Sequence, residues 1–362
     1  MEELVTAFRG ARVLITGHSG FKGSWLTTIL HSLGAKVHGL SLSPTSDCHS
    51  AYQKFDVPSL LASETFADIC DGPILNSTVE RVAPEFVFHL AAQALVSTSW
   101  LEPEATYRTN VFGTYSLLQA LRASTLTLKS VVVVTSDKVY ENDGTGRSFV
   151  ETDPLGGADP YSNSKACAEL VVTGMRTQLP VPMTTARAGN VIGGGDVSLD
   201  RLLPDVIRAW RASDNGKNIW SVSLRRPEAT RPWQHVVEPL AGYLRTAAHH
   251  RAGKGVPSSL NFGPHPELVA SVREVVETAC KILQSGTWLA EGSSPFEEAR
   301  VLGIDPSLAA ATLGWKPQFT LHQAIAHTLE FERSTGSTND FRQMALRQFQ
   351  LALGAKSPCS VS

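Results

Sequence analysis

Three side chains at the end of one apolar run could do chemistry together. Residues 130–142 read SVVVVTSDKVYEN: four valines, then Ser136, Asp137 and Lys138, a hydroxyl, an acid and a base in succession. Charged groups are costly to bury. Either the run reaches water here, as a solvated loop start, or it delivers these groups to a reaction. A second set follows about 25 residues on, where PYSNSK supplies Tyr161 and Lys165. Four residues apart on a helix, they share one face. A cation beside a phenol favours the phenolate, so Lys165 is expected to lower Tyr161. Tyr161 could then take a proton from a substrate hydroxyl while hydride leaves the same carbon, and Ser136 would hydrogen-bond that hydroxyl. Oxidation needs only Ser136, Tyr161 and Lys165. The extra acid and base, Asp137 and Lys138, suggest a second chemical stage.

Such groups need a scaffold that brings strand ends together. RVLITG (residues 12–17) reads as a buried strand, followed by a helix that stops near Gly34. AKVHGLSL is a second strand and PEFVFHLAA (84–92) a third, with a helix from about residue 103 to 122. After the valine strand comes a helix from about 161 to 176, then the strand VPMTTARAGNV. Alternating strands and helices predict an α/β fold, a doubly wound parallel sheet covered on both faces. Ligands bind such sheets at the carboxyl ends of the strands. After Gly189 the pattern changes to GNVIGGGDVSLDRLLPD and RRPEATRPWQHV, and LGWKPQFTLHQAIAHTLEFE lies near the end. These segments predict a smaller C-terminal α/β substrate domain. The expected division is 1–188 plus about 235–265 for a dinucleotide, and 189–234 plus about 266–340 for the substrate. Residues 341–362 then form a C-terminal tail, frayed at GAKSPCSVS.

ITGHSGFKG places Gly17, Gly20 and Gly23 directly after a strand and at the opening of a helix. In a Rossmann-type turn the first glycine allows the sharp bend, the second lets a pyrophosphate approach, and the third lets the helix pack on the sheet. The helix N-terminus adds free N–H groups and a positive dipole end. Phe21 and Lys22 within the array, and Ala91 at the end of FVFHLAA, join the candidate cofactor-binding residues. A nicotinamide dinucleotide is the expected cofactor. The acid that would hold the adenosine ribose is missing: the second strand ends at Ser41 and Ser43, and Asp47 lies several residues on. No arginine stands there either, so NADP is not excluded. Asp68, followed by Ile69, could bond the adenine amino group or be a solvated loop residue.

Composition narrows the classes. In 362 residues, 42% are hydrophobic and 18% charged, as in globular chains. A net charge of −2 offers no basic surface for nucleic acid or membrane. No apolar run approaches the ~20 residues of a membrane span, and no signal peptide precedes the first strand. Five cysteines are scattered without a CxxC, and eleven histidines form no HExxH, so neither a metal site nor a disulfide framework is expected. A reducing, cytoplasmic compartment follows.

The motifs TGHSGFKGSWL, FVFHLAAQ, TSDKVYEN, DPYSNSKACAELV, RAGNVIGGGD, DRLLPD, RPWQHVVEPLAGYL, NFGP and LGWKP run in order from about residue 12 to 317. In these the chain resembles the extended short-chain dehydrogenase/reductases, specifically the nucleotide-sugar 4,6-dehydratases. Asp137-Lys138 is similar to the acid–base pair of those acting on CDP-glucose, where the dTDP-glucose enzymes carry Asp-Glu. The resemblance implies oxidation of the sugar C4 by NAD, tightly bound and recycled in each turnover, with Tyr161 as base. Removal of the C5 proton by a base near Lys138 follows, with protonation of the 6-hydroxyl by Asp137, and then hydride return to C6. It also implies Asn190, Arg201 and Arg231 as substrate-binding residues, Arg231 on the phosphates, where a guanidinium fork suits a diphosphate. A homo-oligomer (dimer or tetramer) and a place in deoxysugar biosynthesis for lipopolysaccharide O-antigen are further implications. Three positions depart from the family pattern: Ser43 for an acid, Val197 for a tryptophan, and Ser97 for an arginine. A 4-epimerase would oxidise C4 without needing Asp137 and Lys138. A non-catalytic nucleotide sensor would not need Ser136, Tyr161 and Lys165 together.

Overall fold

The apolar runs pair as seven parallel strands: β1 (Arg12–Thr16), β2 (Lys36–Ser41), β3 (Ser63–Phe66), β4 (Phe86–His89), β5 (Ser130–Val134), β6 (Met183–Ala188) and β7 (Ser259–Phe262). The computed structural model describes residues 1–355 apart from 123–127, 143, 265–268 and 292–301. Every residue of β5 and β6 is buried, because helices cover both faces of the sheet. The strand order is β7-β6-β5-β4-β1-β2-β3. Val13 of β1 pairs with Val37 on one side and Phe86 on the other, and Val131 of β5 pairs with Val87 and Met183. Winding reverses between β1 and β4, which opens a crevice beyond their carboxyl ends. The expected doubly wound parallel sheet is thus present. β3 and β7 went unread in the sequence: SETF is a half-exposed edge strand, and SLNF is too short to show a period.

Helix Phe21–Ser32 follows β1 and ends before Gly34, whose φ is +81°. Helix Pro160–Met175 begins where the sequence placed it. Asp159 accepts a hydrogen bond from Ser162 N (2.9 Å), and Pro160 occupies the first turn, where a missing N–H costs nothing. The helix expected over 103–122 is interrupted by a π turn at Arg108–Phe112. That turn swings Asn110 inward. Its side chain accepts from Gln93 N (2.9 Å) and donates to Gln93 O (3.0 Å) and Ser164 Oγ (2.9 Å). The loop after β4 is thereby tied to the helix carrying Tyr161.

Beyond β6, Ser221–Leu224 pairs in parallel with Thr287–Ala290 beside the helices Leu202–Ala212 and Val272–Leu283. Trp210, Trp220 and Val275 of this region join Trp25, Phe55 and Phe88 of the sheet region in one apolar core. The segment starting at residue 341, read from sequence as a tail, is helical through Ala352 in Thr338–Ala352, with Phe341 and Phe349 buried. Residues 356–362, which contain most of GAKSPCSVS, lie outside the described residues. Among the described residues no helix is long and apolar enough to cross a membrane, and Cys48, Cys70, Cys167 and Cys280 are free thiols.

Candidate active site

The ends of β1, β4, β5 and β6 open into a cleft of about 510 Å³. Its wall includes Gly17, Gly20, Phe21, Lys22 and Gly23, then Ser136, Asp137 and Lys138, then Tyr161 and Lys165. Asn190, Arg201 and Arg231 close it from the second region. The two sets of proton-handling groups read from sequence therefore share one space.

The glycine turn explains itself residue by residue. Gly17 has φ +79°, and a Cβ there would sit 2.7 Å from Ala91 N. A Cβ on Gly23 would meet Gly17 O at 2.1 Å. Gly20 is different: a Cβ would find nothing of the protein closer than 3.4 Å, so the protein's own packing does not demand glycine there. Gly20 faces the cleft at the start of helix Phe21–Ser32, whose N-terminus has no side-chain cap. Both features suit a phosphate-bearing group lying against the backbone.

Thr16 and His89 brace this turn. His89 Nδ1 hydrogen-bonds Thr16 Oγ1 (2.6 Å) and Nε2 hydrogen-bonds Thr114 Oγ1 (3.0 Å). Burial pushes His89 down to about 3, so it stays neutral.

Ser136 and Tyr161 come from different elements, and Glu169 sets their relation. One turn beyond Lys165, Glu169 is 3% exposed and accepts from Thr135 Oγ1 (2.6 Å), Thr185 Oγ1 (2.6 Å), and Arg187 Nε and Nη2 (2.9 and 2.8 Å). A buried carboxylate so fully bonded locks the helix to the ends of β5 and β6. Sequence reasoning passed over Glu169. Its signal was an acid placed four residues after Lys165, on the same helix face.

Asp137 is 2% exposed. Oδ1 accepts from Ser136 Oγ (3.0 Å), and Oδ2 has no partner among the described residues. Burial raises its carboxyl above the ordinary range, against the pull of Lys138, Ser136, Arg231 and Lys22. An acid so placed holds its proton more readily than an ordinary carboxyl. Lys138 lines the cleft half-buried.

Tyr161 departs from expectation. Burial raises its phenol, and the groups that chiefly oppose this are Ser136, by a hydrogen bond, and Arg201, by its charge. Lys165 is not the one that lowers it. Its Nζ donates to Val134 O (3.3 Å), and burial pushes the amine down to about 8 despite Glu169 nearby. Below pH 8 the folded protein must hold a buried ammonium. Stability should therefore rise as pH climbs from about 8 to the ordinary lysine value of 10.5. Lys165→Met should remove this cost, about 3 kcal/mol at pH 7 from ~1.4 kcal/mol per unit. Denaturant melts at pH 7 and pH 10 should show the variant more stable than wild type at pH 7 and no longer stabilised by alkali.

Lys22, read as a cofactor-loop residue, faces Asp137 and Lys165 as well. Burial pushes it down to about 7, helped by Arg201 and Lys165 and opposed by Asp137 and Asp196. Asp68, Ile69 and Ala91 are not part of the cleft wall. Asp68 lies beyond β3, paired with Arg108 (3.6 Å) and accepting from Cys70 N (2.8 Å). Ile69 is buried against Gly113. Ala91 packs its backbone on Gly17. Ser43 is exposed, whereas Ser41 is buried and donates to Ser19 Oγ (2.8 Å).

In the second region Arg201 donates to Ala94 O (3.4 Å), and Arg231 is 4% exposed and donates to Thr230 O (2.8 Å). Asn190 O accepts from Gln234 N (3.2 Å). Ser97 donates to Asp200 (2.9 Å), which pairs with Arg225 (3.7 Å), so the position where an arginine was expected joins an acid–arginine pair on the opposite wall. Arg225 and Arg226 also line the cleft and were not singled out, because RRPEATRPW does not tell which arginines face inward. Asp47, Cys48 and His49 bring ligand atoms within 4.8 Å of one another on a surface loop, as exposed groups commonly do without a metal.

The family model for GDP-mannose 4,6 dehydratase matches residues 14–328. The chain belongs to that family. It is 38% identical over 340 residues to a CDP-glucose 4,6-dehydratase of Salmonella typhimurium, covering 90% of this chain and 92% of that one. It is 26% identical to a dTDP-glucose 4,6-dehydratase of Escherichia coli, covering 88% and 92%. Among solved structures it resembles an epimerase of Methanothermobacter thermautotrophicus, with a TM-score of 0.78, 21% identity and 95% and 96% covered. It also resembles the dTDP-glucose 4,6-dehydratase DesIV of Streptomyces venezuelae solved with NAD, with a TM-score of 0.74, 23% identity and 90% and 97% covered. The two structures share the fold. For this family member, the cleft residues carry the argument about chemistry.

Proposed function

We infer that the chain is a CDP-glucose 4,6-dehydratase, an NAD-dependent hydro-lyase that converts CDP-glucose to CDP-4-keto-6-deoxyglucose and water. One observation carries this: Ser136, Asp137, Lys138, Tyr161 and Lys165 line a single cleft. The 38% identity to a CDP-glucose 4,6-dehydratase supports the nucleotide. A 4-epimerase shares the oxidation but has no use for a buried acid with a raised carboxyl. A nucleotide sensor has no use for Ser136, Tyr161 and Lys165 together.

The turn at Gly17, Gly20 and Gly23, with Phe21 and Lys22, fits the pyrophosphate of NAD, and Ala91 supports the turn. Asp68 and Ile69 lie beyond β3, on the side where the adenine would extend. With Ser41 and Ser43 where an acid would mark NAD, NADP is the alternative to test. Held by that turn, the dinucleotide would supply the hydride acceptor for the sugar C4 and the hydride donor for C6. The protein handles the protons. Ser136 holds the 4-hydroxyl and Tyr161 takes its proton, with Lys165 beneath. Lys138 removes the C5 proton, made acidic by the 4-ketone. Asp137 gives its proton to the departing 6-hydroxyl. Asn190, Arg201 and Arg231 hold the nucleotide diphosphate. The smaller region formed by 189–234 and about 266–340 is assigned to that half of the substrate.

A homo-oligomer, dimer or tetramer, is part of the same inference. Leu101, Phe112, Tyr115 and Leu170, exposed on helices that pack side by side, support it as apolar surface that a second copy would cover. The family likeness supports a cytoplasmic role in deoxysugar supply, including for O-antigen.

Incubating the protein with a panel of nucleotide sugars, followed by product analysis, tests the function. CDP-glucose should lose water fastest. If no nucleotide sugar is dehydrated, the inference fails.

A further inference from the structure

A nucleotide sugar carries a negatively charged diphosphate into the cleft, and guanidinium forks are the groups best shaped to meet it. The arginines of the second region differ in how far the protein already occupies them. Arg208 is paired with Asp205, and Arg211 with Glu332. Arg225 follows the strand Ser221–Leu224 and lines the cleft. Among the described residues its one ion-pair or hydrogen-bond partner is Asp200, at 3.7 Å. That is beyond hydrogen-bond distance, and both side chains are about half exposed. An exposed pair so loose holds its arginine weakly.

Asp200 is what places Arg225. Its backbone is left-handed, with φ +55°, a conformation that costs a non-glycine residue energy. With that bend, residues 200 and 201 meet the chain after β4 twice. Ser97 donates to Asp200 Oδ2 (2.9 Å), and Arg201 donates to Ala94 O (3.4 Å). The other carboxylate oxygen, Oδ1, faces Arg225. One carboxylate thus joins the two walls and sets Arg225 beside Arg201, the next residue in the chain. An arginine at position 97 would claim Asp200 from the sheet side. With serine there, Asp200 keeps an oxygen for the arginine on the other wall.

We propose that Arg225 binds the diphosphate of the nucleotide sugar together with Arg201, supplying from the second region the guanidinium that position 97 lacks. The proposal rests on the nucleotide-sugar substrate inferred above. On binding, Arg225 exchanges its loose contact with Asp200 for forked hydrogen bonds to phosphate oxygens. Little is forfeited in the exchange, because the pair is half exposed and long. Ser97 meanwhile holds Asp200 to the sheet side, so the carboxylate does not follow the guanidinium onto the phosphates.

Calorimetric titration of the holoenzyme with CDP and with cytidine tests this, alongside steady-state rates on CDP-glucose. Arg225→Ala should weaken CDP by about 10–100-fold and leave cytidine within about twofold, because cytidine has no phosphate. Arg225→Lys keeps the charge without the fork and should fall between. With CDP-glucose the loss should appear in KM rather than in kcat. Adding Ser97→Arg to Arg225→Ala should recover most of the lost CDP affinity, since it returns a guanidinium from the sheet side. Undiminished CDP binding in Arg225→Ala would overturn the proposal. An equal loss of cytidine would overturn it too, making Arg225 a contact to the base. No recovery from Ser97→Arg would overturn the exchange between walls. If wild type binds CDP but dehydrates no nucleotide sugar, the dehydratase function falls and the role of Arg225 stands.

Discussion

Tyr161→Phe should cut turnover of CDP-glucose by about 10²–10⁴-fold, the range for loss of a positioned acid or base. The substitution removes one oxygen and keeps the ring. The Tyr161 N–H bond to Ser99 Oγ (3.1 Å) is a backbone contact and survives. Asp159 still caps the helix, and Glu169 still locks it to β5 and β6. The thermal melt should therefore stay close to wild type while the 4-keto product disappears. Reduced dinucleotide should not form either, since oxidation at C4 is the step that fails. A variant retaining activity within about twofold would show that another group takes the 4-hydroxyl proton.

Asp137→Asn should stop the reaction one stage later. The side chain keeps its shape, and its carbonyl oxygen can still accept from Ser136. What it cannot do is surrender a carboxyl proton to the 6-hydroxyl. Oxidation should proceed, so CDP-glucose should raise the near-ultraviolet absorbance of reduced nicotinamide on the enzyme and hold it there. Release of 4-keto-6-deoxy product should fall by about 10²–10⁴-fold. The contrast with Tyr161→Phe separates the two stages: one variant never reduces the dinucleotide, the other reduces it and stalls. Wild-type rates in Asp137→Asn would remove Asp137 from the role of acid.

Much of this site was open to reading because its parts are local. A glycine array after a strand constrains its own backbone, and Gly17 and Gly23 meet atoms within the turn or beside it. Tyr161 and Lys165 share a helix face by spacing alone. The valine strand is buried on both faces, so its first polar residues had to mark the strand end. Other features escaped because they are made between distant segments. Glu169 looks like any helix acid until Thr135, Thr185 and Arg187 close around it. The π turn that aims Asn110 at Gln93 and Ser164 leaves no mark in the residue pattern. The strands SETF and SLNF have too few residues to show a period, and their neighbours in the sheet define them.

By itself the amino-acid sequence determined which titratable side chains stand at the strand end and on one helix face, and that a glycine turn precedes them, since residue type and local spacing suffice for both. Only the tertiary structure decided how those groups are charged. Burial, not Lys165, governs the phenol of Tyr161. Asp137 is raised because it is buried, its carboxyl packed near Gly189, and Lys22 turns out to face the same acid. Proton affinity depends on desolvation and on charges arriving from other parts of the chain, and a linear order of residues does not contain those distances.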